Sequence, residues 1–231
     1  MKILAVESSG MVAAVAIVRE GKVMGEFLLD HRRTHSQQLM PLIDQLLGSL
    51  GMKLMDIDIF AVSKGPGSFT GLRIGISTVK ALAQALGKPA IGVPTLDGLA
   101  YNLVIRDGLI CPIMDARREQ VYTSVYRSSN RLERLEDYMG IPAMELVQKL
   151  REYHEPVIFN GDGVPAYWDI IKRELGGKAI MAPSNLLMQR ASSIACLALE
   201  MAQAGQIQNY IDLLPFYLRK SQAEQKYAGK E

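Results

Sequence analysis

A glycine-rich turn between a buried strand pattern and a long helix pattern is the feature that most constrains the fold of this chain. Residues 57–62 form an apolar run that is typical of a buried strand, and the Gly-Pro-Gly at residues 65–67 ends it. Residues 71–86 then follow a helical period, and Ser68 or Thr70 is placed to cap that helix. Such a turn exposes backbone N–H groups at the N-terminus of the following helix, where an anion binds favourably. A phosphate site is therefore the first hypothesis. It lacks the Lys-Ser/Thr pair of a Walker P-loop.

The helix pattern over residues 71–86 has three faces. One apolar face predicts core packing, and one polar face predicts contact with solvent. Between them runs a row of small residues: Gly71, Gly75, Thr78, Ala81 and Ala85. An interior glycine costs about 1 kcal/mol relative to alanine, so close packing is expected here. The row packs either against the chain's own sheet or helices, or against a second subunit, with Arg73 reaching a partner carboxylate or lying in solvent.

The composition is that of a globular protein with a substantial core. The chain has 231 residues, 48% of them hydrophobic, which is enough for one large domain or two small ones. A net charge of +2 argues against a nucleic-acid surface as its main binding face. Cys111 and Cys196 lack metal-site spacing. The N-terminal residues show neither a signal-peptide pattern nor a membrane-length apolar run, so a cytoplasmic location without membrane contact is expected.

The order of the predicted elements indicates an α/β fold. Three β-rich runs at residues 2–8, 12–18 and 22–29 open the chain as a meander. A helix that Thr34 caps comes next, and the strand, glycine turn and helix are followed by a strand at residues 90–93. The resulting order, βββαβαβ, is shared by the ribonuclease H-like domains of the actin, Hsp70 and sugar-kinase superfamily, which have mixed sheets with flanking helices.

The rest of the chain predicts a second, reduced α/β domain. We place the first domain at residues 1–105 and the second at residues 106–231. The elements predicted in the second domain are two strands of a hairpin, a helix, a strand and a long helix: residues 109–114, 120–126, 143–152, 156–159 and 190–204. The last helix is long enough to pack back on the first domain. The loop at residues 160–163 follows a strand end where α/β proteins often bind ligands, although it also fits a simple connection.

Side chains that catalyse hydrolysis or bind metals are not grouped in the sequence. His31 and His35 are four residues apart without the glutamate of an H-E-x-x-H motif, so no metal site is predicted. Glu7 ends the first strand, where a nucleotide-binding member of the superfamily places an aspartate for Mg²⁺, and Ser8 and Ser9 follow. These residues form either a magnesium-nucleotide site or a degenerate one.

Several segments resemble the TsaB (YeaZ) family, and the string GPGSFTGLRIG at residues 65–75 is the most specific. The other matching segments are residues 3–9, 35–41, 115–118, 121–122 and 215–219. The resemblance implies a cytoplasmic partner protein, without a cofactor, in the formation of N6-threonylcarbamoyladenosine at position 37 of tRNAs that read ANN codons. It also implies a heterodimer with the catalytic paralogue TsaD, a ternary complex with the ATPase TsaE, a homodimer when alone, and tRNA contact only through the complex.

The resemblance further assigns roles to individual residues. TsaD carries a metal-binding H-x-x-x-H segment, and Thr95 and Leu99 stand at the corresponding positions, which implies that this chain has no catalytic residue. The first helix and the helix with the small-residue row are expected to pair with the partner as a four-helix bundle. The residues expected at that interface are Gln38, Pro41, Leu42, Gly71, Arg73, Gly75, Thr78 and Ala81.

The alternative function is catalysis by the chain itself, either as an ATPase or kinase of the same superfamily or as a glycoprotease-like peptidase. For an ATPase or kinase, Glu7, Ser8 and Ser9 would meet magnesium and phosphate. Glu7 is longer than the aspartate that is more common in the superfamily, so we expect a vestigial nucleotide site at most.

Overall fold

Two mixed β-sheets with the same strand order organise the molecule. The computed structural model describes residues 1–30, 35–104, 107–129 and 131–219. His31 and the predicted helix cap Thr34 lie outside these ranges, as does the predicted domain boundary between residues 105 and 106.

The first sheet has five strands in the order β3-β2-β1-β4-β5. These strands are β1 (Lys2–Glu7), β2 (Ala13–Arg19), β3 (Lys22–Leu29), β4 (Ile59–Gly65) and β5 (Ala90–Pro94). β1, β2 and β3 are antiparallel neighbours, whereas β4 and β5 run parallel to β1. The helices of this half are α1 (His35–Ser49), α2 (Phe69–Leu86) and α3 (Thr95–Tyr101). The strand order confirms the predicted ribonuclease H-like class.

The second sheet repeats this order within a set of seven strands, of which all but β6 have four residues or fewer. Its central path is β10-β7-β6-β11-β12, and β8 pairs with β6 and β9. The strands are β6 (Gly108–Asp115), β7 (Gln120–Thr123), β8 (Tyr126–Ser129), β9 (Arg131–Arg134), β10 (Met139–Pro142), β11 (Val157–Asn160) and β12 (Ala179–Met181). The helices are α4 (Ala143–Leu150), α5 (Val164–Leu175), α6 (Ser184–Leu187) and α7 (Ala191–Gln203).

The strand predicted over residues 120–126 is in fact two strands. β7 pairs with the C-terminal end of β6, whereas β8 pairs with the N-terminal end of β6 and with β9. Ser124 lies at the break, where its hydroxyl donates to the carbonyl oxygen of Glu136 (2.7 Å). The sequence pattern does not predict β9, because three of its four residues are charged and it has no apolar alternation. The sequence pattern likewise does not predict β10, β12 or α5.

Different helices cover the two faces of the first sheet. Alternate residues of β1, such as Leu4, contribute to the core beneath α1 and α2, and the others, such as Ile3, pack against α7. Glu26 of β3 holds α7 in place, since its carboxylate accepts the backbone N–H of Ser192 (2.9 Å) in the first turn of that helix. The chain therefore returns to its first sheet after completing the second.

The chain segment after α7 connects the two halves, and we call residues 208–219 the C-terminal strap. Gln208 forms a backbone bridge with Ala90 at the start of β5. At the other end, the guanidinium of Arg219 donates to the carbonyl oxygen of Ala116, in the loop between β6 and β7. The strap thus runs from the first sheet to the second.

Candidate functional site

The glycine turn is closed against the loop that follows β1. The backbone N–H of Ser68 donates to the carbonyl oxygen of Ser9 (2.7 Å), and a Cβ on Gly67 would collide with that same oxygen. As predicted, Ser68 caps α2, with its hydroxyl accepting the N–H of Gly71 (3.2 Å). These two N–H groups are bonded within the chain and are not free to bind a phosphate, which counts against the first hypothesis.

The interior glycines of α2 both pack against Ser8 at the end of β1. A Cβ on Gly71 would collide with the Ser8 carbonyl oxygen, and a Cβ on Gly75 would collide with its hydroxyl oxygen. That hydroxyl donates to the Gly71 carbonyl oxygen (3.0 Å). Of the two predicted alternatives, packing within the chain is therefore the one that the structure shows for both glycines. Both glycines allow α2 to approach β1 closely, and the expectation that they also contact a partner stays a prediction.

The other residues predicted on α1 and α2 divide between core and surface. Leu42 is only 5% exposed and belongs to the core beneath α1, and Gln38 is 6% exposed, so neither offers a free surface. Pro41 and Ala81 are exposed, and Thr78 is partly exposed. These three residues lie on what we call the outer face of α1 and α2, together with the exposed residues Gln45, Gly48 and Ala85.

Gly48 is a residue of the outer face that sequence reasoning missed, as is Gln45. Outside its own helix, no described atom lies within 4 Å of a Cβ built on it, in contrast to Gly71 and Gly75. Close packing within the described chain therefore does not account for a glycine near the end of α1. The available signal was its spacing, because Pro41, Gln45 and Gly48 recur at helical intervals on one side of α1.

The C-terminal strap holds Arg73 at the N-terminal end of α2. The Arg73 Nε donates to the hydroxyl oxygen of Tyr217 (3.1 Å). The Tyr217 ring stacks on Phe69, with ring centroids 4.4 Å apart and an interplanar angle of 11°. Arg73 thus contacts a residue 144 positions away in sequence while its side chain stays exposed, and its pairing with a partner carboxylate stays a prediction.

The close approach of the same strap explains why the first residue of the turn is a glycine, Gly65. The backbone N–H of Phe216 donates to the Lys64 carbonyl oxygen (2.6 Å), and a Cβ on Gly65 would collide with the Phe216 carbonyl oxygen. Gly65 also has a φ of +120°, a backbone conformation that residues with a side chain rarely adopt. Further along α2, the Lys80 ammonium donates to the carbonyl oxygen of Leu213 (3.3 Å). The strap therefore covers the turn and one side of α2.

Glu7 is a buried acid at the end of β1. Its carboxylate accepts the backbone N–H of Ser9 (2.6 Å) and also the Ser9 hydroxyl. Burial raises the pKa of Glu7 to about 7, since the hydrogen bonds from Ser9 only partly offset the loss of hydration and the nearby Asp162 adds repulsion. Burial likewise raises the pKa of Asp162 to about 6. Glu7 is therefore partly protonated near neutral pH.

Gln189 fills the space between the β1–β2 loop and the β11–α5 loop. Its Nε2 donates to Asp162 Oδ1 (3.3 Å), and a Cβ on Gly10 would lie only 2.6 Å from that Nε2. The structure brings together the predicted nucleotide residues Glu7, Ser8 and Ser9, which are all at most 1% exposed. Their hydrogen bonds are made within the chain, so this geometry presents no open phosphate cradle.

Thr95 begins α3, and Leu99 lies one turn further along it; both side chains are internal. The Thr95 hydroxyl oxygen accepts the N–H of Gly65 (3.2 Å), and Leu99 is 1% exposed in a core cluster with Ile110 and Met114. Across the part of the chain that the structure describes, no three His, Cys, Asp or Glu side chains are grouped so as to hold a metal ion. Nor does any helix there have the length and apolar content needed to cross a membrane.

Comparisons with known proteins place the chain in a family. Residues 28–227 match the family model described as TsaD: tRNA N6-adenosine threonylcarbamoyltransferase. The chain is 36% identical over 228 residues to the tRNA threonylcarbamoyladenosine biosynthesis protein TsaB of Bacillus subtilis (strain 168), covering 98% of both proteins. It is 31% identical to the protein of the same name in Escherichia coli (strain K12), covering 100% of both. The chain belongs to the TsaB (YeaZ) family.

Solved structures agree with TsaB-family membership. YeaZ from Pseudomonas aeruginosa is 27% identical and superposes with a TM-score of 0.81, covering 94% of this chain and 99% of that one. The ethanolamine utilization protein EutJ from Carboxydothermus hydrogenoformans has a TM-score of 0.53 at 13% identity, covering 85% of this chain and 89% of that one. The second match concerns the fold alone, and it fits the actin and sugar-kinase class predicted from the strand order.

Proposed function

We propose that this TsaB-family protein serves the formation of threonylcarbamoyladenosine on tRNA as a non-catalytic subunit that binds and activates TsaD. Its relatives in B. subtilis and E. coli are named as biosynthesis proteins of this modified nucleoside, which supports the pathway. The observation that carries the non-catalytic role is the environment of Thr95 and Leu99, which stand where TsaD has its two metal-binding histidines. Thr95 accepts a hydrogen bond from Gly65 of the glycine turn, and Leu99 packs in the core. Neither side chain can replace an imidazole ligand.

The outer face of α1 and α2 is the surface that we assign to TsaD. Its exposed Gly48, Ala81 and Ala85 leave room for the backbone of a facing helix, because small side chains shorten the distance between packed helices. Two helices from each subunit would form a four-helix bundle. A second copy of this chain uses the same face when TsaD is absent, TsaE joins the heterodimer, and tRNA is met through the complex.

Reconstitution tests this role directly. Purified TsaC-type, TsaD and TsaE proteins are incubated with tRNA, threonine, bicarbonate and ATP, with and without this chain, and the modified nucleoside is quantified by mass spectrometry. We expect modification to depend on the chain. Equal modification in its absence would refute the scaffold role.

Catalysis by the chain itself has less support, since Glu7, Ser8 and Ser9 are buried and make their hydrogen bonds within the chain, Glu7 with Ser9 and Ser8 with Gly71 of α2. Purified chain that hydrolyses ATP with Mg²⁺, and loses that activity in Glu7→Ala, would overturn the non-catalytic assignment.

A further inference from the structure

A pocket of about 360 Å³ lies between the two halves of the chain, on the side opposite the outer face of α1 and α2. It is lined by α3 and the turn after it, by α7, and by the β8–β9 ribbon. Since α7 covers the other face of the first sheet from α1 and α2, the pocket is separate from the surface assigned to TsaD. Its volume falls within the range of about 300–1,000 Å³ that small-molecule sites occupy.

In one wall of the pocket, two tyrosine hydroxyls hold the carboxylate of Asp97 in a fixed position. Asp97 Oδ1 accepts the hydroxyls of Tyr126 (2.7 Å) and Tyr138 (2.8 Å), and its Oδ2 also accepts Tyr138 (2.9 Å). Burial raises the pKa of both tyrosines, so the hydroxyls remain protonated donors. The guanidinium of Arg134 stands 4.2 Å from the centre of the Tyr138 ring. The two tyrosine hydroxyls therefore hold the Asp97 carboxylate in place as part of this wall.

The pocket offers charges of opposite sign from two different elements. Arg131 and Arg134 line it from β9, and neither guanidinium lies within ion-pair distance of a carboxylate in the described ranges. Glu200 lines it from α7, and its Oε1 accepts the Tyr101 hydroxyl (2.8 Å). Its Oε2 has no hydrogen-bond partner among the described side chains, so both a cationic and an anionic position are open.

The surface between these charges is apolar, with Val104, Leu132 and Leu197 lining the pocket. A simple anion would be repelled by Glu200, and a simple cation would be repelled by the arginines. We propose that the pocket binds a small zwitterion, an α-amino acid with an apolar side chain. The carboxylate faces Arg131 and Arg134, the ammonium group faces Glu200, and the side chain covers the apolar surface.

Ligand derivatives test the two charged ends separately. L-Phenylalanine and L-leucine are titrated into the full-length protein and followed by saturation-transfer NMR. N-acetyl-L-phenylalanine lacks the ammonium group, and L-phenylalaninamide lacks the carboxylate. We expect saturable binding of both amino acids and a loss of about tenfold or more in affinity for each derivative, as for a removed charge-assisted hydrogen bond.

Two variants of the protein each remove the charge that would face one end of the ligand. Glu200→Gln keeps an acceptor for Tyr101 but removes the charge, so it should weaken the binding of phenylalanine and phenylalaninamide by about tenfold. It should not weaken the binding of the anionic N-acetyl-phenylalanine, because it removes a repulsive charge. Arg131→Gln should weaken the binding of phenylalanine and N-acetyl-phenylalanine but not that of the cationic phenylalaninamide. Loss of folding would weaken all ligands alike and could not produce this crossed pattern.

The inference is overturned if neither amino acid shows saturable binding up to its solubility, or if the variants do not follow the crossed pattern. Both variants should still support tRNA modification with TsaD, because the pocket lies on the opposite side of the first sheet. A failure here is thus distinguishable from a failure of the scaffold role.

Discussion

Gly75 of α2 faces Ser8 at the end of β1 so closely that a Cβ on the glycine would collide with the serine hydroxyl oxygen. Gly48 of α1, by contrast, has open space around it. The two glycines are both helical, so their substitution by alanine separates internal packing from helix propensity.

Alanine substitutions at these two positions should have opposite effects on stability. Gly75→Ala is expected to lower the free energy of unfolding by about 1–3 kcal/mol, because the added methyl group overpacks the contact with Ser8. Gly48→Ala should raise it by about 0.5–1 kcal/mol through better helix propensity. Urea titrations of both variants at the same protein concentration measure both effects. Equal changes at the two positions would show that Ser8 does not constrain Gly75.

The stacked pair Phe69 and Tyr217 should couple the C-terminal strap to α2. Replacing either residue with alanine removes the same ring contact, so the double variant should lose less stability than the sum of the single ones. We expect a coupling energy of about 0.5–1.5 kcal/mol from a double-mutant cycle. Tyr217→Phe keeps the stack but removes the acceptor for Arg73, and serves as the control for the hydroxyl. Strict additivity of the alanine variants would contradict the contact.

Part of this contact map follows from the sequence and part does not. The helical period of α2 correctly predicts its buried face, including Leu72, Ile76 and Val79, because that face repeats every three to four residues. The same period marks the row from Gly71 to Ala85 as closely packed, but it cannot identify the neighbour. Ser8 lies 63 positions before Gly71, and pairing at that range depends on how the whole sheet assembles.

The second sheet was harder to predict for a related reason. Its outer strands are four residues long or shorter, and β9 is mostly charged, so no periodic pattern marks them. The strap makes its contacts through single residues such as Tyr217 and Arg219, which no local pattern reveals. The proposed pocket arises from elements of both halves and could not be inferred from any one segment.

The buried carboxylate of Glu7 should make stability fall as the pH rises. Its pKa is raised from 4.5 in the unfolded chain to about 7 in the folded protein. Between these values the folded state binds more protons than the unfolded state, so the stabilising contribution is complete below pH 4.5 and is lost as the pH passes 7. The full contribution is at most about 3 kcal/mol.

Glu7→Gln should remove this pH dependence. Urea titrations between pH 4.5 and 7.5 should give a flatter profile for the variant than for the wild type. Asp162→Asn is the matched comparison. The pKa of Asp162 is raised to about 6, so its contribution to the free energy of unfolding should be lost over a lower pH range than that of Glu7. Parallel wild-type and Glu7→Gln profiles would contradict the raised pKa.

The outer face of α1 and α2 should fail to bind TsaD when a large charged side chain is introduced there. Ala81 is exposed on α2, and Ala166 is exposed on α5 beside the second sheet, so Ala81→Arg and Ala166→Arg make the same chemical change at two helix surfaces. Burying an unpaired arginine at an interface costs several kcal/mol, so Ala81→Arg should weaken TsaD binding by about a hundredfold or more in calorimetric titrations. Ala166→Arg should bind as the wild type does. Because both positions are exposed, circular dichroism and thermal unfolding should show that both variants are folded. Wild-type TsaD affinity in a folded Ala81→Arg variant would place the interface on another surface.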